Sequence, residues 1–108
     1  MEEIRFNSEV LNKIMTEKTR KESLTKEKIK KGLSYMELDL QGEQVTQEDI
    51  NLLVEILNGL KLKNADLSNV NIRKMRLERL ELNGCVIPED FFEDSEIGYV
   101  TLGAMELQ

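Results

Sequence analysis

The chain has 108 residues, enough for one domain with a modest core and too few for two. One residue in three is charged and the net charge is −6, which suits a soluble protein and argues against general affinity for nucleic acid. A single cysteine excludes an intramolecular disulfide, and the absence of histidine removes the usual general base and the commonest metal ligand.

The first ten residues, MEEIRFNSEV, contain no basic region followed by an apolar run, so no signal peptide is expected. No apolar stretch approaches the roughly 20 residues needed to span a bilayer. The expected location is cytoplasmic, with no membrane association. Charge is unevenly spread: residues 13–31 carry a local +5 and residues 32–108 a local −9. Ser8 is placed to cap a helix whose apolar residues, Val10, Leu11, Ile14 and Met15, fall at helical spacing. A second helical signal begins at Thr25 and is expected to stop at Gly32. Residues 1–32 therefore read as an N-terminal helical cap, or as a basic arm for an acidic partner.

From Leu33 to Leu40 apolar and polar residues alternate as in a half-buried strand. Thr46, three residues before Asp49, sets up a helix start. Ile50, Leu53, Val54 and Leu57 then share one helical face, and Asn58-Gly59 ends the element. Beyond this point apolar residues recur every 20 positions. Leu57, Leu77 and Ile97 form one column; Leu60, Leu80 and Val100 another; Leu62, Leu82 and Leu102 a third. Ala65, Cys85 and Met105, then Leu67, Ile87 and Leu107, complete the set. A fixed period of this length implies stacked coils that bury one face against their neighbours. The short segments between the copies leave room for extended or single-turn structure, and Pro88 reads as the start of a helical turn.

The segment Leu57-Asn-Gly-Leu60-Lys-Leu62-Lys-Asn-Ala65-Asp-Leu67 resembles the leucine-rich repeat pattern L-x-x-L-x-L-x-x-N/C-x-L. Leu77–Ile87 is closer still, with Cys85 at the Asn/Cys position, and Ile97–Leu107 is a further copy. Leu33–Leu38 opens a divergent first copy, whose helix is similar to the convex helix of ribonuclease-inhibitor-like members. The ninth position of the pattern is Gln41, Ala65, Cys85 and Met105, so the family's buried asparagine ladder is absent. The resemblance implies an α/β solenoid: a short leucine-rich-repeat-like stack of about four coils with parallel strands over residues 33–108, capped by the N-terminal helices. A second resemblance, to pentapeptide-repeat β-helices, rests on Ala65-Asp-Leu67-Ser-Asn and on an apolar residue at every fifth position from Leu62 to Leu107. The bulky Met75, Leu80 and Met105, and the charge of Asp90, oppose it at corner positions that require small residues.

No catalytic residue, cofactor or metal site is expected. Cys85 lies on an apolar column without an activating base and reads as core. Glu89, Asp90, Glu93, Asp94 and Glu96 lack the ligand spacing of a calcium loop. The resemblance implies instead a concave, partner-binding strand face carrying Tyr35, Glu37, Asp39, Lys61, Lys63, Arg79, Glu81, Asn83, Tyr99 and Thr101, with Gly59 and Gly103 leaving room for approach to the backbone. Val100, Leu102, Met105 and Leu107 are expected at an open C-terminal end that stacks as a homodimer or accepts a partner. The expected function is a protein–protein interaction module, an adaptor or inhibitor with no direct nucleic-acid binding. The alternative is an acidic β-helix that mimics duplex DNA and inhibits a DNA-binding enzyme.

Overall fold

A computed structural model of the chain describes residues 3–19, 25–33, 36–104 and 106–107. Strand β1 (Leu38–Asp39), helix α3 (Gln47–Ile56), β2 (Gly59–Lys63), β3 (Arg76–Asn83), β4 (Val86–Ile87), β5 (Glu96–Leu102) and β6 (Glu106–Leu107) follow two N-terminal helices, α1 (Glu9–Thr19) and α2 (Lys26–Leu33). Four strands form one parallel sheet in the order β1-β2-β3-β5, and β4 and β6 form a second parallel pair.

The 20-residue step in the sequence becomes the register of the sheet. Leu60 pairs with Leu80 and Leu62 with Leu82; Leu80 in turn pairs with Val100 and Leu82 with Leu102. Ile87 pairs with Leu107 at the same offset. Because side chains alternate across a strand, equal offsets keep each apolar column on one face. Leu60, Leu62, Leu77, Leu80 and Leu82 are accordingly buried. Between the strands the chain returns through turns. The Val70 and Met75 N–H groups donate to the carbonyls of Leu67 and Ile72, and Phe91 and Ser95 do the same to Pro88 and Phe92. The Ile72 N–H donates to the Phe91 carbonyl at 2.7 Å, so successive turns are joined to each other as the strands are.

The first offset is longer: Leu38 pairs with Leu62, 24 residues on. Helix α3 takes up the extra length. Thr46 caps it by accepting the Asp49 N–H at 3.2 Å, and Ile50, Leu53 and Ile56 are buried. Leu57, expected on the helical face, is instead its extended C-cap and is also buried. Gln47 then pins the helix to the turn that follows. Its side-chain amide donates to the Asn71 carbonyl at 2.8 Å and accepts the Asn71 N–H at 2.9 Å.

At the N-terminus Ser8 accepts the Leu11 N–H at 3.2 Å and caps α1. Asn12 makes a reciprocal pair with the backbone of Phe6, at 2.8 and 2.7 Å. Asp49 is fully buried and anchors the segment: its two carboxylate oxygens accept the N–H groups of Asn7 at 2.7 Å and Ser8 at 3.1 Å. Helix α1 packs on α2, α2 on α3, and α3 on β2. Lys26 of α2 forms an ion pair with Glu55 of α3. Phe6, Leu11, Met15 and Ile29 join the buried cluster that contains Leu38, Leu53 and Leu80, so one core runs through both parts.

Two local expectations are corrected. Gly32 does not end α2, which runs on through Leu33. The strand expected over residues 33–40 is reduced to Leu38–Asp39, because its first residue is spent in the helix and Met36 is 40% exposed. The segment after Pro88 forms successive turns, within the single-turn structure expected there. No helix among the described residues is long and apolar enough to cross a membrane.

Two stability effects follow. Asp49→Ala leaves two N–H groups without their charged acceptor and is expected to cost about 2–3 kcal/mol, with Asp49→Asn intermediate, as read by urea unfolding. At Gly98 an added Cβ would lie 2.7 Å from the Glu78 carbonyl oxygen, a backbone atom held in β3. Gly98→Ala is therefore expected to lower stability by about 1–3 kcal/mol in the same assay.

Candidate functional site

The leucines that point into the core leave the alternate residues of each strand on the opposite, open face. Parallel pairing sets these side chains in rows across the sheet. Lys61 pairs with Glu81 and Glu81 with Thr101. Asp39 pairs with Lys63 and Lys63 with Asn83. Arg79 pairs with Tyr99. Nine of the ten expected face residues therefore share one surface, where Glu37 and Asp39 form an acidic column beside the basic column of Lys61 and Lys63. Glu37, Lys61, Glu81, Asn83, Thr101 and Gly103 line a shallow depression of ≈ 250 Å³.

The side chains on this surface are partly held in place. The Arg79 guanidinium lies over the Tyr99 ring, 4.7 Å from its centroid, and its Nη1 is 3.6 Å from the Glu81 carboxylate. A guanidinium stacked on an aromatic ring is held by cation–π attraction. Tyr99 remains 51% exposed. Tyr35 and Met105 lie outside the described residues. Gly59 is buried and offers no approach to the backbone, whereas Gly103 borders the depression. Val100 and Leu102 are 46% and 45% exposed on β5, and Leu107 belongs to β6.

Beside the face, where strands end, lies a second hollow of ≈ 680 Å³ that the column pattern does not announce. Asp39, Gln41, Asn64, Asp66 and Gly84 border it. Gln41, Asn64 and Gly84 all have positive φ there. At Gly84 glycine is required twice over, by φ of +68° and by the Asn64 Oδ1 lying 2.7 Å from where a Cβ would sit. The Asn64 N–H donates to the Asn83 carbonyl and the Gly84 N–H to that of Ala104, so these turns are tied to one another. The signal available in sequence was the recurrence of Gln41-Gly42, Asn64 and Asn83-Gly84 just after each strand.

Asp39 links the hollow to the face. Its carboxylate accepts the Gln41 N–H at 2.9 Å and the Asn64 side-chain amide at 3.3 Å. The Gln41 hydrogen bond, aided by Asn64 and the charge of Lys63, outweighs desolvation and holds the carboxyl below its ordinary value. Cys85 lies between β3 and β4. Its thiol is fully buried, 3.6 Å from the Leu62 carbonyl oxygen and 3.7 Å from that of Asn83. It bridges successive strand ends as a weak donor. Burial pushes this thiol up from its ordinary value.

On the opposite side, Asp90 and Glu93 lie 3.8 Å from Arg73, and Glu96 lies 2.8 Å from Arg76, so the acidic segment after Pro88 is answered by bases one repeat earlier. No cluster of three metal-ligating side chains occurs among the described residues. Comparison of the chain with protein-family models, with curated proteins and with solved structures gave no match.

The burial and raised pKa of Cys85 make a direct prediction. At pH 8 the native thiol is expected to react with an aromatic disulfide reagent at least ~10-fold more slowly than in urea-unfolded protein, as followed by absorbance.

Proposed function

We propose that this chain is a non-catalytic protein-recognition module, a short leucine-rich-repeat-like stack that acts as an adaptor or inhibitor by occupying a surface of its partner. The observation that carries this reading is the open sheet face. Acidic, basic and mixed columns stand side by side there, with exposed Tyr99 and Arg79 stacked at one edge. Tyrosine and arginine are the side chains that most often anchor protein interfaces. Charges of alternating sign fix the orientation of a partner without attracting any single class of polyion. A hydrogen-bonded sheet presents all of them at little ordering cost on binding. The partner surface that fits carries its own acidic and basic groups in complementary order, with an apolar or cationic group for Tyr99.

A second reading has one observation in its favour. Buried pairs two residues apart recur at five-residue steps, except at 75, where Met75 is only half-buried: Leu60 and Leu62, Ala65 and Leu67, Val70 and Ile72, Leu80 and Leu82, Cys85 and Ile87. That spacing suits a four-sided β-helix acting as a DNA mimic. The pattern breaks at Asp90, which is exposed, and at Phe91, which is buried where Phe92 was expected. Lys61, Lys63 and Arg79 also interrupt the acidic surface that a mimic needs.

The test is affinity capture from the source lysate with the wild type and with a variant carrying Glu37→Lys, Lys61→Glu and Tyr99→Ala, after both have been shown to melt alike. A protein retained by the wild type and reduced at least ~10-fold with the variant places recognition on the face. Equal retention by both removes it from there. Release of the captured protein by duplex DNA, with the variant still binding, would favour the mimic.

A further inference from the structure

The two edges of the main sheet differ in kind. On one side β1 is two residues long and bears Asp39, with Glu37 just before it, a combination of shortness and charge that discourages strand addition. On the other side β5 runs for seven residues, and among the described residues no strand pairs with its outer edge. From Ile97 to Met105 the sequence contains no charge and no proline. Val100 and Leu102 sit on this edge at 46% and 45% exposure. From Ile97 to Leu102, β5 carries neither charge nor proline to protect its edge.

The backbone directions decide what can pair there. The Gly103 N–H donates to the Leu82 carbonyl of β3 at 2.7 Å. In a parallel ladder alternate residues face alternate neighbours, so Tyr99, Thr101 and Gly103 turn their backbone groups toward β3, and Val100 and Leu102 turn theirs to the open edge. We propose that this edge is a homodimer interface, in which two copies pair their β5 strands antiparallel about a two-fold axis through Thr101. Val100 of each copy then exchanges both backbone hydrogen bonds with Leu102 of the other. The side-chain pairs that result are compatible throughout. Val100 meets Leu102 on the apolar side, Thr101 meets Thr101, and Tyr99 lies over Gly103, where there is no side chain to displace.

A second copy suits the edge on grounds of charge as well. Each chain has a net charge of −6, yet the segment that meets is neutral. Its nearest acid, Glu96, is engaged by Arg76. Beyond Gly103 the chain leaves the sheet for β6, so Glu106 does not meet Glu96 of the other copy. One strand pair is smaller than a standard interface, which makes the dimer a weak one that exchanges with monomer. The edge is distinct from the open face, and pairing would join two four-stranded sheets and set both faces on one continuous surface.

The experiment is sedimentation of the full chain between ~20 μM and ~1 mM, where the average mass is expected to rise from monomer toward dimer. Val100→Lys, which meets Leu102, and Thr101→Lys, which sets two lysines against each other at the axis, should each abolish the rise while the circular dichroism spectrum is kept. If Val100→Lys unfolds, the solvent-side Thr101→Lys decides. In Thr101→Cys the paired residues would be ~4.5 Å apart between Cα atoms, within disulfide reach, so mild oxidation should link two chains at least ~10-fold faster than in a Glu43→Cys control. A chain that stays monomeric to ~1 mM, a folded Thr101→Lys protein that dimerises like the wild type, or Thr101→Cys no faster than the control would each overturn the assignment.

Discussion

Everything in this molecule depends on parallel strands paired at a constant offset of 20 residues. Strands β2 and β3 satisfy their backbones through neighbours on both sides, β5 through β3 alone, and the apolar columns are buried up to β3 because the register repeats. The constraint is strict, since a slip of β3 against β2 by one residue would carry Leu80 and Leu82 to the open face. It also makes neighbouring elements interdependent: Leu80 lies between Leu60 and Val100, so its removal is felt on two sides at once.

The constant offset applies only after the first strand. Between β1 and β2 the chain carries α3 in place of a turn, and that helix becomes the attachment point for the N-terminal segment. Asp49 serves both parts: its N–H donates to the Thr46 cap, and its carboxylate accepts the N–H groups of Asn7 and Ser8. A carboxylate in the first turn of a helix is favoured by the helix dipole, and one that also accepts backbone N–H groups tolerates burial. The +5 charge of residues 13–31 is met in part at Glu55 through Lys26. Ion pairs this exposed add little energy, so the apolar contacts of Phe6, Leu11, Met15 and Ile29 hold the helices in place.

The same register that buries the leucines composes the opposite face. Because Lys61 must sit beside Glu81 and Asp39 beside Lys63, charges distant in sequence become an alternating surface. Stacking Arg79 on Tyr99 adds order at the β5 side. The sheet thus has a charged face, a blunt β1 edge and an open, neutral β5 edge, each set by what one strand lacks or carries.

By itself the sequence determined the repeat. Columns such as Leu62, Leu82 and Leu102 were enough to place parallel strands and their partners, because burial of one face leaves a single register. The Thr46 cap was legible from local spacing, since caps are local, whereas the face residues were expected only through the leucine-rich-repeat resemblance. Only the tertiary structure decided the rest. Gly32 stays helical, β1 shrinks to two residues, and Gly59 is buried. Asp49 is buried because Asn7 and Ser8 come to it from more than 40 residues away. The hollow beside Asn64 and Gly84 likewise exists only where turns from successive repeats meet. Local pattern records which side chains prefer to be buried. Which backbone groups meet across the fold depends on pairings that no short stretch of sequence contains.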